Sequence, residues 1–96
     1  MEITVQYFEG CPNVGVVRAR LASAGVHPSA VRLLEVGSPE EADCVGFRGS
    51  PTILIDGEDR FAESSPPAGY ACRVYETECG REGAPSVAQL QAILAA

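Results

Sequence analysis

Polar and apolar residues alternate at the start of the chain. Ile3, Val5 and Tyr7 interleave with Thr4 and Gln6, a period of two that predicts a β-strand over residues 2–8. Gly10-Cys11-Pro12-Asn13 breaks this pattern, and the spacing then changes. Val14, Val17, Leu21 and Ala24 fall at i, i+3, i+7 and i+10, one apolar stripe on a helix from about Pro12 to Ala24. Pro12 suits the first helical position, where a missing N–H costs nothing, and Gly25 suits the stop. Arg18 and Arg20 fall on the wetter side of this helix.

Val31 to Val36 reads as a second strand, so strand, helix and strand form a right-handed parallel βαβ unit. Ser38-Pro39-Glu40-Glu41 then supplies a cap, a first-turn proline and a capping-box glutamate for a short helix ending before Gly46. Pro51-Thr52-Ile53-Leu54-Ile55 is continuous and apolar, as a central buried strand is. Asp56-Gly57 marks a tight turn into a fourth strand around Arg60-Phe61-Ala62. Between residues 63 and 85 the pattern is weakest. Ser64-Ser65-Pro66-Pro67 reads as a loop, and Cys72-Arg73-Val74-Tyr75 as a short strand or a helical turn. Ser86 and Gln89 form a second capping box for a last helix, whose stripe is Val87, Leu90 and Leu94.

Ninety-six residues, 46% of them hydrophobic, make one globular domain over residues 1–96. Thirteen acidic residues against seven basic ones give a net charge of −6. Nucleic acid and anionic membranes are therefore excluded as partners, since both require a basic surface. No basic leader with a long apolar run precedes the first strand, and no stretch is long enough to span a bilayer, so a cytoplasmic location is expected.

In that compartment Cys11, Cys44, Cys72 and Cys79 are expected as reactive, buried or metal-bound thiols rather than a disulfide framework. No pair has the spacing of a zinc knuckle, and neither a resident metal nor a cofactor is expected. His27, before Pro28 in a connector, reads as a surface residue. The acidic turn Asp56-Gly57-Glu58-Asp59 lacks the pattern of a calcium loop.

Cys11 carries the sharpest chemical signal. It directly precedes a helix, where unpaired N–H groups and the positive end of the helix dipole favour a thiolate. The plainer alternative is a structural cysteine that only caps the helix. Cys72 is the best candidate for a second thiol, with Arg73 as a neighbouring cation; Cys72 and Cys79 also have the option of bridging a small loop. Cys44, beside Val45, reads as a small buried hydrophobe.

A strand, Cys-Pro at a helix start, and Ser50-Pro51-Thr52 opening the third strand resemble the thioredoxin and glutaredoxin superfamily. The resemblance covers residues 2–62 and extends to the last helix. It implies an α/β thioredoxin-like fold, with three helices around a four-stranded mixed sheet in the order second, first, third, fourth strand. It also implies that Pro51 is cis and lies against Cys11, with Pro12, Ser50, Pro51 and Thr52 contacting substrate. The turn would offer backbone N–H and C=O groups to an extended chain. One departure matters: the second cysteine of the dithiol motif is replaced by Val14, which can neither resolve a mixed disulfide nor hydrogen-bond a thiolate.

The expected function is thus a thiol-dependent redox protein. Cys11 would form a mixed disulfide with a protein disulfide or a small thiol such as glutathione, resolved by external thiol or by Cys72. One alternative is a non-catalytic module binding a peptide, a thiol ligand or a soft metal ion near Pro51. Another follows from the naming of similar short thioredoxin-like proteins with organomercurial lyases, which would group Cys11, Cys72 and an aspartate such as Asp43.

Overall fold

The first strand, β1 (Ile3–Tyr7), lies near the middle of the main sheet because both of its faces are covered. Ile3 and Val5 face one side; Thr4 and Gln6, also buried, face the other. A computed structural model describes residues 2–61 and 69–95. It shows an α/β chain with a mixed four-stranded sheet and three helices.

Pro12 precedes α1 (Asn13–Ser23) as its N-cap, not its first hydrogen-bonded residue as expected, although its φ of −71° and ψ of −18° are already helical. The ring therefore sets the helical dihedrals one position before the intrahelical bonding starts. At the other end Gly25 has φ +100°, and its N–H bonds the Ala22 carbonyl at 3.1 Å. Val26 N–H reaches the Leu21 carbonyl at 3.0 Å. These two bonds close a Schellman motif, which a side chain at position 25 would strain.

A 3₁₀ turn, Pro28–Ala30, capped by His27 Nδ1, leads into β2 (Val31–Glu35), which runs parallel to β1. Ser38 Oγ then accepts from Glu41 N–H at the start of α2 (Pro39–Val45). The Glu41 carboxylate reaches past Ser38 to Gly37 N–H at 2.6 Å, so only half of the expected capping box forms. Helix α2 buries only Ala42. Cys44 is consequently exposed, not buried as expected, and Val45 is 48% exposed.

Strands β3 (Arg48–Ser50) and β4 (Thr52–Ile55) flank Pro51, which the sequence had placed inside a strand. Strand β4 pairs antiparallel with β1 and, through a two-residue turn, with β5 (Glu58–Asp59). Asp56 and Gly57 both have positive φ, 53° and 82°, as a type I′ turn requires. So tight a turn puts Glu58 opposite Ile55 at once, and the fourth strand comes before the expected Arg60–Ala62. The sheet order is β2-β1-β4-β5. Ala62 and the Ser64–Pro67 loop lie outside the described residues.

Beyond them come β6 (Gly69–Cys72), parallel to β3, and the hairpin β7 (Tyr75–Thr77) with β8 (Gly80–Glu82). Helix α3 (Val87–Ala95) begins with the full reciprocal capping box. Gln89 N–H donates to Ser86 Oγ at 3.1 Å, and Ser86 N–H to Gln89 Oε1 at 3.0 Å.

Helices α1 and α3 bury Val17, Leu21 and Leu90 against Ile3, Val5, Ile53 and Ile55. Phe8, Val36, Ala42 and Phe47 form a smaller cluster with α2.

Arg20 departs from its expected wet position. It donates to the carbonyls of Ala84 and Pro85 at 3.2 and 3.1 Å and pairs with Glu82 at 2.8 Å, clamping α1 to the chain before α3. Hydrogen bonds from Arg20, and then from Thr77, lower the Glu82 pKa below the ordinary carboxylate range. A carboxyl depressed in the folded state adds stability above its unfolded pKa, and that stability disappears as pH falls through the folded value. Urea unfolding of the wild type and Glu82→Gln should thus differ most near neutral pH and converge in acid. Parallel pH profiles for the two proteins would show that this clamp is not linked to protonation.

Candidate functional site around Cys11 and the Ser50–Pro51 turn

The loop leaving β1 closes as a turn in which Cys11 N–H donates to the Phe8 carbonyl at 3.3 Å. Gly10, third in this turn, has φ +84°, the left-handed value that a type II turn requires at that position. Cys11 is half-buried and Pro12 exposed, and the loop ends at the N-terminus of α1.

Phe8 links this loop to the second part of the site. Its N–H donates to Ser50 Oγ at 3.3 Å, and the Ser50–Pro51 peptide bond is cis. Ser50, Pro51 and Thr52 are buried. The Thr52 hydroxyl folds back to the Gly49 carbonyl at 2.6 Å. Across from Ser50 in the β3–β6 ladder stands Cys72, which is exposed, and Arg73 N–H donates to the Ser50 carbonyl at 3.0 Å. Cys11, Phe8, Ser50 and Cys72 are thus joined in series at one end of the sheet, by a backbone bond, a bond to the Ser50 hydroxyl and a strand pairing.

The carbonyls of this turn, which the resemblance assigns to substrate, also carry bonds within the chain. The Ser50 carbonyl already accepts from Arg73, and the Pro51 carbonyl accepts the Tyr75 hydroxyl at 2.5 Å. Pro12 and Cys72 are exposed, Cys11 is half-buried, and residues 50–52 are buried.

Below the turn is a group that the sequence did not reveal. Arg73, 1% exposed, pairs with Asp59 at 2.8 Å, donates to the Phe61 carbonyl at 3.1 Å, and stacks 4.6 Å from the Tyr75 ring centre. Phe61 meets the same ring edge-on at 5.3 Å. Burial raises the Tyr75 phenol well above its ordinary pKa, an effect larger than the opposing one of Arg73. Tyr75 therefore remains a hydrogen-bond donor to Pro51 at any physiological pH.

Arg73 is adjacent to Cys72 in sequence but does not share its side of the chain. The two alternate in direction, Cys72 outward and Arg73 inward, followed by Val74 outward and Tyr75 inward. The period of two was the available signal, but here the cation is buried and the valine exposed.

All four cysteines are free thiols, so Cys72 and Cys79 form no bridge. Among the described residues no three His, Cys, Asp or Glu side chains are grouped to hold a metal, and Asp43 therefore does not complete a cluster with Cys11 and Cys72. No helix among the described residues is long and apolar enough to cross a membrane. The chain matches no protein-family model, no curated protein and no solved structure in comparisons with known proteins.

Proposed function

We propose that the chain is a thioredoxin-like thiol redox protein of the cytoplasm, in which Cys11 performs the first nucleophilic attack. One observation carries this reading: Cys11 is half-buried in the turn before α1 and tied through Phe8 to the buried Ser50 of a cis Ser50–Pro51 bond. In a partly solvent-accessible loop that leads into α1, the Cys11 thiol is placed to meet a disulfide.

In the reaction, the Cys11 thiolate attacks one sulfur of a protein disulfide or of oxidised glutathione. A bond forms between Sγ and that sulfur, the disulfide bond breaks, and the second sulfur leaves as a thiolate. A second thiolate, from external thiol or from Cys72, then attacks the mixed disulfide. External thiol regenerates Cys11; Cys72 releases the reduced substrate and leaves an internal disulfide, which external thiols reduce. By the Cys72 route a full cycle oxidises two external thiols and reduces one disulfide; by the external route one thiol enters the disulfide as one thiolate leaves it, so that one disulfide replaces another. Cys11, Pro12 and the Ser50–Pro51–Thr52 turn, tied to the Cys11 loop through Phe8, form the surface that receives the substrate.

Brief exposure of the full chain to oxidised glutathione, followed by acid quenching and peptide mass mapping, tests this reading. The expected first adduct is on Cys11. Adducts appearing first on Cys44 or Cys79, with Cys11 unmodified, would leave a scaffold that binds without exchanging thiols.

A further inference from the structure

The two edges of the main sheet differ in character. At one edge β5 is only Glu58–Asp59, two acidic residues that blunt further pairing. At the other, β2 is five residues long, with Arg32, Leu33, Leu34 and Glu35 all exposed. Pairing with β1 occupies one row of its backbone N–H and C=O groups, and the other row faces outward. Leu33 and Leu34 are 38% and 41% exposed and, as successive strand residues, project to opposite faces. This edge is therefore apolar above and below.

On the α1 side the edge borders a groove of about 290 Å³, lined by Gly15, Arg18, Ala19, Val26, Pro28 and Val31. Arg18 is the one charged residue in that lining. No hydrogen bond or ion pair engages it among the described residues.

We propose that β2 is a self-association edge: it pairs antiparallel with β2 of a second copy, joining two four-stranded sheets into one. Symmetry restricts the register. A two-fold axis perpendicular to the sheet keeps every residue on its own face, so the axis must pass through a residue rather than between two. Centring on Arg32 sets like charges opposite each other, which is destabilising. Centring on Leu34 draws in Val36, already committed to the cluster with Ala42 and Phe47.

Centring on Leu33 keeps all five strand residues paired. Leu33 meets the partner's Leu33, Arg32 meets the partner's Leu34, and Val31 meets the partner's Glu35. Val31 lines the groove, so the partner's Glu35 arrives at the rim that holds the unpaired Arg18. The symmetry supplies this match of opposite charges twice. An isologous edge of this kind is self-limiting, because each copy has only one long edge to offer.

Sedimentation equilibrium of the full chain, over concentrations up to the millimolar range, tests the proposal. The wild type should populate a dimer. Arg18→Glu and Glu35→Arg should each weaken it by about tenfold, and the double variant Arg18→Glu/Glu35→Arg should restore it. Both positions are exposed, and circular dichroism confirms that each variant is folded. A wild type that is monomeric throughout, or a dimer that neither single reversal weakens, would overturn the proposal.

Discussion

Replacing Asp59 with alanine should destabilise the protein by about 3–5 kcal/mol, since it leaves the Arg73 cation buried without its counterion. Arg73 is 1% exposed, and among the described residues its Nε finds no acceptor and the loss of Asp59 leaves the Phe61 carbonyl and the Tyr75 ring to offset desolvation. Small domains have a total margin of about 5–15 kcal/mol, so a large fraction of that margin disappears. Urea unfolding measures the loss directly. The double variant Asp59→Ala/Arg73→Met should recover most of it, because the penalty comes from the uncompensated charge and not from the missing contact. A fall of under about 1 kcal/mol in the single variant, the range of exposed pairs, would mean that water reaches Arg73.

The second large effect is on chemistry. Cys11→Ser should abolish exchange with oxidised glutathione, because a serine hydroxyl is not ionised at neutral pH and cannot replace the thiolate. Cys44→Ser and Cys79→Ser should leave the exchange rate unchanged, as both thiols are exposed and removed in sequence from the Phe8–Ser50 junction. Cys72→Ser separates the two routes of resolution. If Cys72 attacks the mixed disulfide, its loss makes the Cys11 adduct accumulate; if external thiol does so, adduct lifetime depends only on thiol concentration. Stopped-flow exchange with mass detection follows both. Undiminished exchange by Cys11→Ser would move the reactive thiol elsewhere.

Much of this structure was legible where local chemistry decides it. The 3.6-residue stripe of Val17 and Leu21, the Ser86–Gln89 capping box and the stop at Gly25 act over a few residues and need no tertiary partner. The helix that starts after Pro12 was likewise legible, and the resemblance anticipated the cis Ser50–Pro51 bond. The fourth strand lies earlier than the apolar Phe61 suggests because turn length sets its position, and its residues Glu58 and Asp59 carry no apolar signal.

Residues 69–82 were opaque for a different reason. Their strands are three or four residues long, too short for a period to stand out, and their interior member is an arginine whose counterion lies fourteen residues earlier. Hydrophobic patterning cannot find a buried ion pair. It also could not show that this segment donates to the carbonyls of Ser50 and Pro51.

The central claim is that Cys11 is the reactive thiol of a chain with three more exposed cysteines. It is tested most directly by limited alkylation of the wild type with iodoacetamide at neutral pH, with each site quantified against time. Accessibility alone ranks Cys44, Cys72 and Cys79 ahead of the half-buried Cys11. The expected result reverses that order, with Cys11 modified first. Modification in order of exposure, Cys11 last, would contradict the redox mechanism.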